Sequence, residues 1–212
     1  MLRLIKPDSA EGYDFRGRVF RCTGKYDKSI ADFSKAIELA PYDAWLYFSR
    51  ADAYAAKEDY PHAIADYGKV LEFNTDNLAG NADVYAARGL CHSKVGDYSK
   101  GIEDCRKGLQ LDTNCVAALN NLAWLVATAP DAKLRDGEKA VQYANRACEL
   151  SGWKNAYCLG TLAAAYAEVG NFDEAVKWEK KCILSGLPEK EMEQAHKELN
   201  LFEQKKPYHA EK

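Results

Sequence analysis

The residues best suited to metal binding or nucleophilic chemistry are scattered along this 212-residue chain. Its four histidines are His62, His92, His196 and His209. None has a second histidine four residues away, which is the spacing by which a helix presents two ligands to one metal ion. The seven cysteines are odd in number and include no Cys-x-x-Cys pair, as is typical of buried free thiols in a reducing compartment.

Other catalytic signatures are missing from the sequence as well. No glycine-rich stretch leads into the Gly-Lys-Ser/Thr of a phosphate-binding loop, and no Ser or Cys lies in a nucleophile elbow. The sequence therefore predicts no catalysis, no metal site and no cofactor.

Charge and hydropathy narrow the class of partner. The chain has 29 basic and 32 acidic residues, a net charge of −3 and a pI near 5.9. Nucleic-acid binding normally requires a strongly basic surface. No apolar run approaches the roughly 18 residues of a membrane span, and the segment 1–7 is too short and interrupted for a signal peptide. We predict a cytoplasmic protein that binds neither nucleic acid nor membrane.

Small residues recur along the chain with a long period. The first series, with intervals of 34, 38, 34 and 40 residues, is Gly17, Ala51, Gly89, Ala123 and Ala163. The second follows it by 12 residues in four cases and 17 in one, and is Ser29, Ala63, Gly101, Ala140 and Ala175. Small residues allow two helices to cross closely, so each unit is predicted to be a helix pair that must stack on its neighbours. The predicted units are 10–43, 44–77, 82–115, 116–155 and 156–189, with 78–81 lengthening one link.

The first unit resembles the tetratricopeptide repeat (TPR) family. Its pattern is Arg16-Gly17…Phe20…Gly24-Lys25-Tyr26…Ile30…Phe33…Ala36…Pro41, and units 2, 3 and 5 match comparably. Unit 4 carries extra residues around 129–136 and is similar to a variant of bacterial members. The resemblance implies an all-α, right-handed superhelix of about five TPR hairpins. It specifies a fold rather than a function.

Arginine and aspartate change together between the units. Units 1 to 3 pair Arg16 with Asp32, Arg50 with Asp66 and Arg88 with Asp104 at equivalent positions. Units 4 and 5 have Leu122 with Tyr143 and Leu162 with Trp178 instead. Because solvated charges have no reason to be replaced jointly, we predict structural ion pairs, within a unit or between neighbours, that fix helix register.

Both ends of the repeat array are atypical. Leu2, Ile5 and Pro7 fall where a second helix would place its residues, so residues 1–9 are either the remnant of a preceding repeat or a stub. Residues 190–204 predict an amphipathic capping helix with Met192, Ala195, Leu199 and Phe202 on one face and Glu, Lys and Gln on the other. Residues 205–212 are predicted to be a flexible tail.

The resemblance also implies where a ligand would bind, because first helices of TPR units line a concave groove. The groove residues that it suggests are Arg18, Trp45, Phe48, Asp52, Leu90, Asn120, Trp124 and Tyr157. Exposed aromatic residues are typical of binding hot spots. Asn120 could hold an extended peptide backbone and Trp124 could accept a side chain, or Trp124 could instead pack between helices or under the inserted loop.

Some family members bind the acidic end of chaperones through a clamp of Lys, Asn and Arg residues. In units 1 to 3 the clamp positions hold Asp14, Arg18, Ser49, Asp83 and Ala87, and later registers fit no better. An acidic chaperone tail is therefore not expected. We predict a scaffold or adaptor that binds a peptide or helix of an unidentified protein in the groove. The alternative is a structural module that self-assembles into a homo-oligomer through its N-terminal half-repeat.

Overall fold

The structure, a computed structural model, describes residue 6 and residues 8–73 and 78–211. This part of the chain contains eleven α-helices and no strand. They are α1 (Ala10–Cys22), α2 (Tyr26–Leu39), α3 (Ala44–Ala56), α4 (Tyr60–Phe73), α5 (Leu78–Lys94), α6 (Tyr98–Leu111), α7 (Val116–Thr128), α8 (Gly137–Leu150), α9 (Ala156–Glu168), α10 (Phe172–Leu184) and α11 (Glu189–Glu203). The half-repeat expected from Leu2, Ile5 and Pro7 lies outside the described residues.

The helices form five consecutive hairpins that stack in chain order, followed by α11 on α10. First helices of successive hairpins also contact one another, as α1 does α3, α5 does α7 and α7 does α9. In a curved stack the elements on the inner side approach one another most closely. The odd-numbered helices up to α9 therefore line the concave side.

Left-handed residues and side-chain caps shape the turns within and between the hairpins. Gly24, Gly96 and Gly170 have φ angles of 71°, 85° and 78°, and Glu58 holds the equivalent place at 66°. Such angles end a helix without strain only at glycine. Side chains that accept a backbone N–H at the start of the following helix belong to Asp43, Asp97, Asp136, Asn155 and Asn171.

The periodic small residues lie where two helices of one hairpin cross. A Cβ added at Gly89 would lie 2.8 Å from the carbonyl oxygen of Gly101, so the two backbones are in direct contact. In the first hairpin the Ser29 hydroxyl donates to the Gly17 carbonyl at 2.8 Å, also across the crossing. Any larger side chain at these positions would force the helices apart.

Two local features of the linkers differ from the expectation. Residues 78–81 do not lengthen a link but form the first turn of α5, which has 17 residues where the helices of the first hairpin have 13 and 14. In the fourth hairpin the additional residues form a loop with a short 3₁₀ helix, Ala132–Leu134. Arg135 in that loop folds back, and its Nη1 donates to the Ala129 carbonyl at 2.7 Å.

The prediction for α11 is wrong in one respect. Ala195 and Phe202 are buried as expected, but Glu198, which the pattern places with the other acidic residues on the solvent face, is only 4% exposed. About one helical turn separates Glu198 from Ala195 and from Phe202, so all three share the packed face. The apolar pattern therefore did not predict that a carboxyl group, that of Glu198, is buried where α11 packs on α10.

The segment after α11 also differs from the expected flexible tail. Residues 206–211, called here the carboxyl segment, run back across the concave side of α7 and α9. The ring of Tyr208 packs on that of Trp124 with centroids 5.7 Å apart, and the Ala210 N–H donates to the Thr128 carbonyl at 2.8 Å. Its position after the last helix predicted a flexible tail, but one aromatic side chain and one backbone hydrogen bond give it a defined place.

Candidate peptide-binding groove

Three bidentate ion pairs join the two helices of the first three hairpins. In the first, Arg16 Nε and Nη2 each donate to a different oxygen of Asp32 at 2.7 Å. Arg50 meets Asp66 at 2.7 and 2.9 Å, and Arg88 meets Asp104 at 2.7 and 2.8 Å. The pairing lies within each unit, and the three aspartates are buried. Since a bidentate guanidinium–carboxylate pair is planar and restricts the relative orientation of its two groups, each pair restricts the angle between its helices.

The arginines are also held by aromatic rings one turn earlier on their own helices. The guanidinium carbons of Arg16, Arg50 and Arg88 lie 5.0, 5.7 and 5.4 Å from the rings of Tyr13, Tyr47 and Tyr85. Arg50 Nη1 additionally donates to Ser34 on α2 at 3.0 Å, which ties the second hairpin to the first. These contacts set the orientation of α1, α3 and α5 and therefore of the side chains on their concave faces.

A stacked aromatic pair on α3, with Trp45 exposed and Phe48 partly buried, lies in the N-terminal half of the stack. Trp45 is 53% exposed and stacks on Phe48 with centroids 5.6 Å apart and an interplanar angle of 24°. Phe48 in turn meets the edge of Tyr67, a buried residue of α4, at 5.9 Å. Spacings of three and four residues put Trp45, Phe48 and Asp52 on one face of α3. The indole is thus a rigid apolar surface supported from below.

Charged side chains of α1 and α3 pair with one another in the same half of the stack. Asp52 accepts from the Tyr67 hydroxyl at 2.8 Å and from Arg21 Nη1 at 3.1 Å. Burial raises the pKa of the Asp52 carboxyl, while Tyr67 and Arg21 act in the opposite direction. Arg18 lies exposed on α1, where its Nη2 is 3.0 Å from Asp14. Burial likewise raises the pKa of Asp14.

Some buried polar atoms beside the groove have no hydrogen-bond partner within the described part of the chain. They include Asp14 Oδ1, Arg21 Nε and Asn120 Oδ1. The other end of the Asn120 amide donates to Asn121 at 3.3 Å, and Asn121 donates to the Ala86 carbonyl on α5 at 3.1 Å. Leaving such atoms unsatisfied costs about 1–3 kcal/mol each, so an incoming hydrogen-bonding ligand gains where a side-chain rotation exposes them.

The C-terminal half of the concave side is covered by the carboxyl segment. Trp124 is half-buried because Tyr208 lies on it, and Tyr208 belongs to the same apolar cluster as Ala164 and Ala167 of α9. His209 Nε2 donates to Glu168 Oε2 at 2.7 Å, and the other oxygen of Glu168 accepts from Arg135 Nε at 2.9 Å. Trp124 does accept a side chain here, and that side chain comes from the same polypeptide.

The remaining predicted groove residues are spread over separate helices. Leu90 on α5 is 38% exposed and Tyr157 on α9 is 52% exposed. Arg18 lies on α1. Trp45, Phe48 and Asp52 share one face of α3, and Asn120 and Trp124 lie farther along the stack on α7. Leu90 and Tyr157 lie on other helices of the concave side, and their part in ligand binding stays a prediction.

The sequence analysis did not predict a pair of buried glutamates, Glu179 on α10 and Glu198 on α11. Glu179 on α10 takes the core position held by Phe33 and Tyr67 in the first two hairpins, and it is 1% exposed. Its Oε2 has no partner among the described residues. Burial, together with the charge of Glu198, raises the pKa of the Glu179 carboxyl to about 9, and burial raises that of Glu198 to about 7. The available signal was a charged residue at a core position that is uncharged in the other four hairpins, where it holds Phe33, Tyr67, Cys105 and Ala144.

Other reactive groups in the described residues are placed as core components. Six of the seven cysteines are buried, Cys22 being the exposed one. Burial raises the pKa of Cys91 to about 11 and that of Cys105 to about 12, which keeps both thiols protonated at neutral pH. His92 packs 3.9 Å from Asp104, and burial lowers its pKa. No group of three or more His, Cys, Asp or Glu side chains is arranged for a metal ion within the described ranges.

Over residues 6, 8–73 and 78–211, none of the helices is long and apolar enough to cross a bilayer.

Comparison with known proteins identifies related chains. Hsc70-interacting protein 1 of Drosophila melanogaster is 32% identical over 109 residues, which is 51% of this chain and 27% of that protein. The Hsp70-Hsp90 organizing protein of Triticum aestivum is 33% identical over 97 residues, or 46% of this chain and 16% of that protein. The matches thus span about a quarter or less of the lengths of these two relatives.

The fold is shared with solved structures of low sequence identity. A thermophilic TPR protein of Thermus thermophilus superposes with a TM-score of 0.66 at 14% identity, covering 91% of this chain and 99% of that one. At this identity the likeness concerns the fold alone, which is an α-α superhelix of repeats.

Family models match more than half of the chain. A model described as TPR repeat matches residues 17–57. Two models described as tetratricopeptide repeat match residues 46–77 with 82–115 and residues 155–185. These segments contain the glycine turns, the close helix crossings and most of the arginine–aspartate pairs described above, and the chain belongs to the tetratricopeptide repeat family.

Proposed function

We propose that this chain is a non-catalytic adaptor that binds a peptide segment or helix of a partner protein in its concave groove. The observation that supports the proposal is the stacked pair of Trp45 and Phe48 on α3, in which Trp45 is 53% exposed. A large indole left half in solvent, yet held rigidly by a neighbouring ring, loses little entropy when a partner covers it.

The polar surroundings support a peptide as the ligand. Asp14, Arg21 and Asn120 each have a polar atom that lacks a partner within the described residues, and all three belong to concave helices. Peptide N–H and C=O groups supply both kinds of complement. The two relatives named for chaperone interactions support the general class of protein–protein adaptor.

The local charges argue against an acidic chaperone tail as the ligand of this groove. At the clamp positions Asp14 and Asp83 are acidic, and Arg18 is engaged by Asp14 at 3.0 Å. A second carboxylate brought to this site would face like charges, while the nearest cation is already paired. A partner segment with apolar side chains and at most a small negative charge fits the site better.

The experiment is a selection of peptides from a display library on the purified chain, followed by calorimetric measurement of the dissociation constant of the best peptide. Hot-spot aromatic residues contribute about 2 kcal/mol or more, so the Trp45→Ala/Phe48→Ala variant is expected to bind at least about 30-fold more weakly. The control is Leu184→Ala, which removes an 86% exposed leucine from α10 and is expected to bind as the wild type does.

An acidic chaperone-tail peptide serves as a second probe and is expected not to bind. Equal affinity of the wild type and the Trp45→Ala/Phe48→Ala variant for the selected peptide would contradict the proposal, provided that circular dichroism shows the variant to be folded. Tight binding of the acidic peptide would contradict the choice of partner.

A further inference from the structure

The carboxyl segment lies on the groove in the manner of a bound peptide. Within residues 206–211, an aromatic ring, a backbone group and an imidazole each make one contact with the concave surface. Tyr208 covers Trp124, the Ala210 N–H donates to the Thr128 carbonyl, and His209 donates to Glu168. Peptides are commonly recognised through side chains that enter pockets while backbone groups form hydrogen bonds with the receptor, and the contacts of this segment are of both kinds.

The surface under the segment is built by an irregularity of the fourth hairpin. Arg135, from the loop between α7 and α8, is half-buried and places its Nε 2.9 Å from Glu168 Oε1. Glu168 is thereby turned so that its second oxygen faces His209 at 2.7 Å. The small side chains of Ala164 and Ala167 leave room beside Trp124 for a ring. The loop insertion thus orients an acidic receptor group next to an aromatic one.

We propose that the groove along α7 and α9 is a binding site for an extended peptide with an aromatic residue followed by a basic one, and that the carboxyl segment occupies this site as an intramolecular competitor. The inference deepens the proposed function and rests on it, because it concerns the other half of the same groove. In this arrangement the Trp45 end is open, and the Trp124 end opens to a partner only when the segment leaves.

The strength of such competition follows from effective concentration. A segment joined by a short linker is present at its own site at about millimolar effective concentration. If the free segment binds with a dissociation constant of about 0.1 mM, the tethered one occupies the site about tenfold over. An external peptide must then bind to the intact chain about tenfold more weakly than to a chain whose own segment cannot dock.

The test uses a fluorescently labelled hexapeptide, Lys-Pro-Tyr-His-Ala-Glu, and measures its binding by anisotropy. The Tyr208→Ala/His209→Ala variant of the 212-residue chain is expected to bind it about tenfold more tightly than the wild type. The control His196→Ala, which removes an exposed histidine of α11, is expected to match the wild type. A probe with alanine in place of tyrosine is expected to lose most of its affinity for the opened variant.

A second variant protects the test against misfolding. Ala210→Pro removes the N–H that reaches Thr128 while leaving Tyr208 in the apolar cluster, and it is expected to bind the probe more tightly than the wild type. Binding to folded Tyr208→Ala/His209→Ala that is no tighter than to the wild type would overturn the inference.

The two proposals fail separately. Adding Trp45→Ala/Phe48→Ala to the opened variant is expected to leave hexapeptide binding unchanged while it weakens binding of the library-selected peptide at least about 30-fold. Loss of hexapeptide binding alone would remove the inference about the Trp124 end and leave the adaptor proposal intact. If the hexapeptide still binds and the affinity of the selected peptide does not depend on Trp45, the adaptor proposal for the Trp45 end fails and the inference about the Trp124 end remains.

Discussion

Replacing Glu179 by glutamine is expected to stabilise the C-terminal end of the superhelix at neutral and alkaline pH. The carboxyl group of Glu179 is 1% exposed, has an unpartnered oxygen among the described residues and lies beside the buried Glu198. Glutamine keeps the shape and carries no charge. A buried carboxyl without a cation is therefore exchanged for a neutral amide, which does not ionise as the pH rises.

The sign of the effect follows from the two protonation states. In the folded chain the pKa of Glu179 is raised to about 9, against an ordinary value of 4.5. The folded state thus holds a proton that the unfolded state loses above pH 4.5, so stability is fully present at low pH and falls as the pH rises toward 9. Glu198, with a pKa of about 7, adds to the fall between pH 4.5 and 7.

The magnitude has an upper limit and a realistic value. Each unit of difference in pKa corresponds to about 1.36 kcal/mol, so the cost at about pH 8 is at most about 5 kcal/mol for Glu179 alone. Because α11 is the last helix of the stack, it can open locally and relieve the burial before the cost becomes that large. We expect Glu179→Gln to raise the free energy of opening of α11 by about 1–3 kcal/mol at about pH 8. At about pH 4.5 the substitution is expected to have no effect.

Amide hydrogen exchange of α11, corrected for the intrinsic rate at each pH, measures this free energy directly. Glu203→Gln is the control, since the Glu203 side chain is 52% exposed and pairs with Lys180 at the surface. The reasoning is refuted if Glu179→Gln lowers protection at the alkaline pH or changes it equally at the acidic and alkaline pH.

Two further substitutions test the elements that position the groove. Arg88→Leu is expected to cost about 2–4 kcal/mol in urea unfolding because it leaves the 4% exposed Asp104 without its cation, and adding Asp104→Tyr, by analogy with the apolar pairs of the last two hairpins, should recover most of the loss. A failure of the double variant to recover would show that the charges contribute more than helix register. Gly89→Ala is expected to cost more than about 2 kcal/mol, since its Cβ would meet a carbonyl oxygen at 2.8 Å, whereas Gly68→Ala, whose Cβ meets nothing nearer than 3.9 Å, should be neutral or stabilising in the same thermal melts.

Local chemistry and short-range periodicity could be predicted from the sequence, and the structure places these features as expected in kind. The joint replacement of Arg and Asp predicted contacts between residues that are 16 positions apart and lie on different helices, as Arg88 and Asp104 do. The glycines of the turns and the small residues of the crossings follow from backbone sterics within one hairpin. Each of these depends on residues that the repeat keeps at fixed spacing.

Features that depend on contacts outside the repeat could not be predicted in this way. Tyr208 and Trp124 lie far apart along the chain, and no periodicity relates them. Glu198 is buried against expectation because composition alone does not tell which turn of an end helix is covered by its neighbour. Residues 78–81 form a helical turn because α5 can extend past the hairpin's regular start, and only the packed structure records this.

The central claim, that a partner peptide binds on the concave face at Trp45, is tested most directly by indole N–H resonances in an NMR titration with the library-selected peptide. The chain has four tryptophans. Two of them, Trp153 and Trp178, stack on each other with ring centroids 5.0 Å apart and do not belong to the Trp45–Phe48 pair. The account predicts that the Trp45 indole resonance shifts and saturates with the calorimetric dissociation constant, while the resonances of Trp153 and Trp178 stay in place. A shift of Trp153 or Trp178 with an unchanged Trp45 resonance would contradict it.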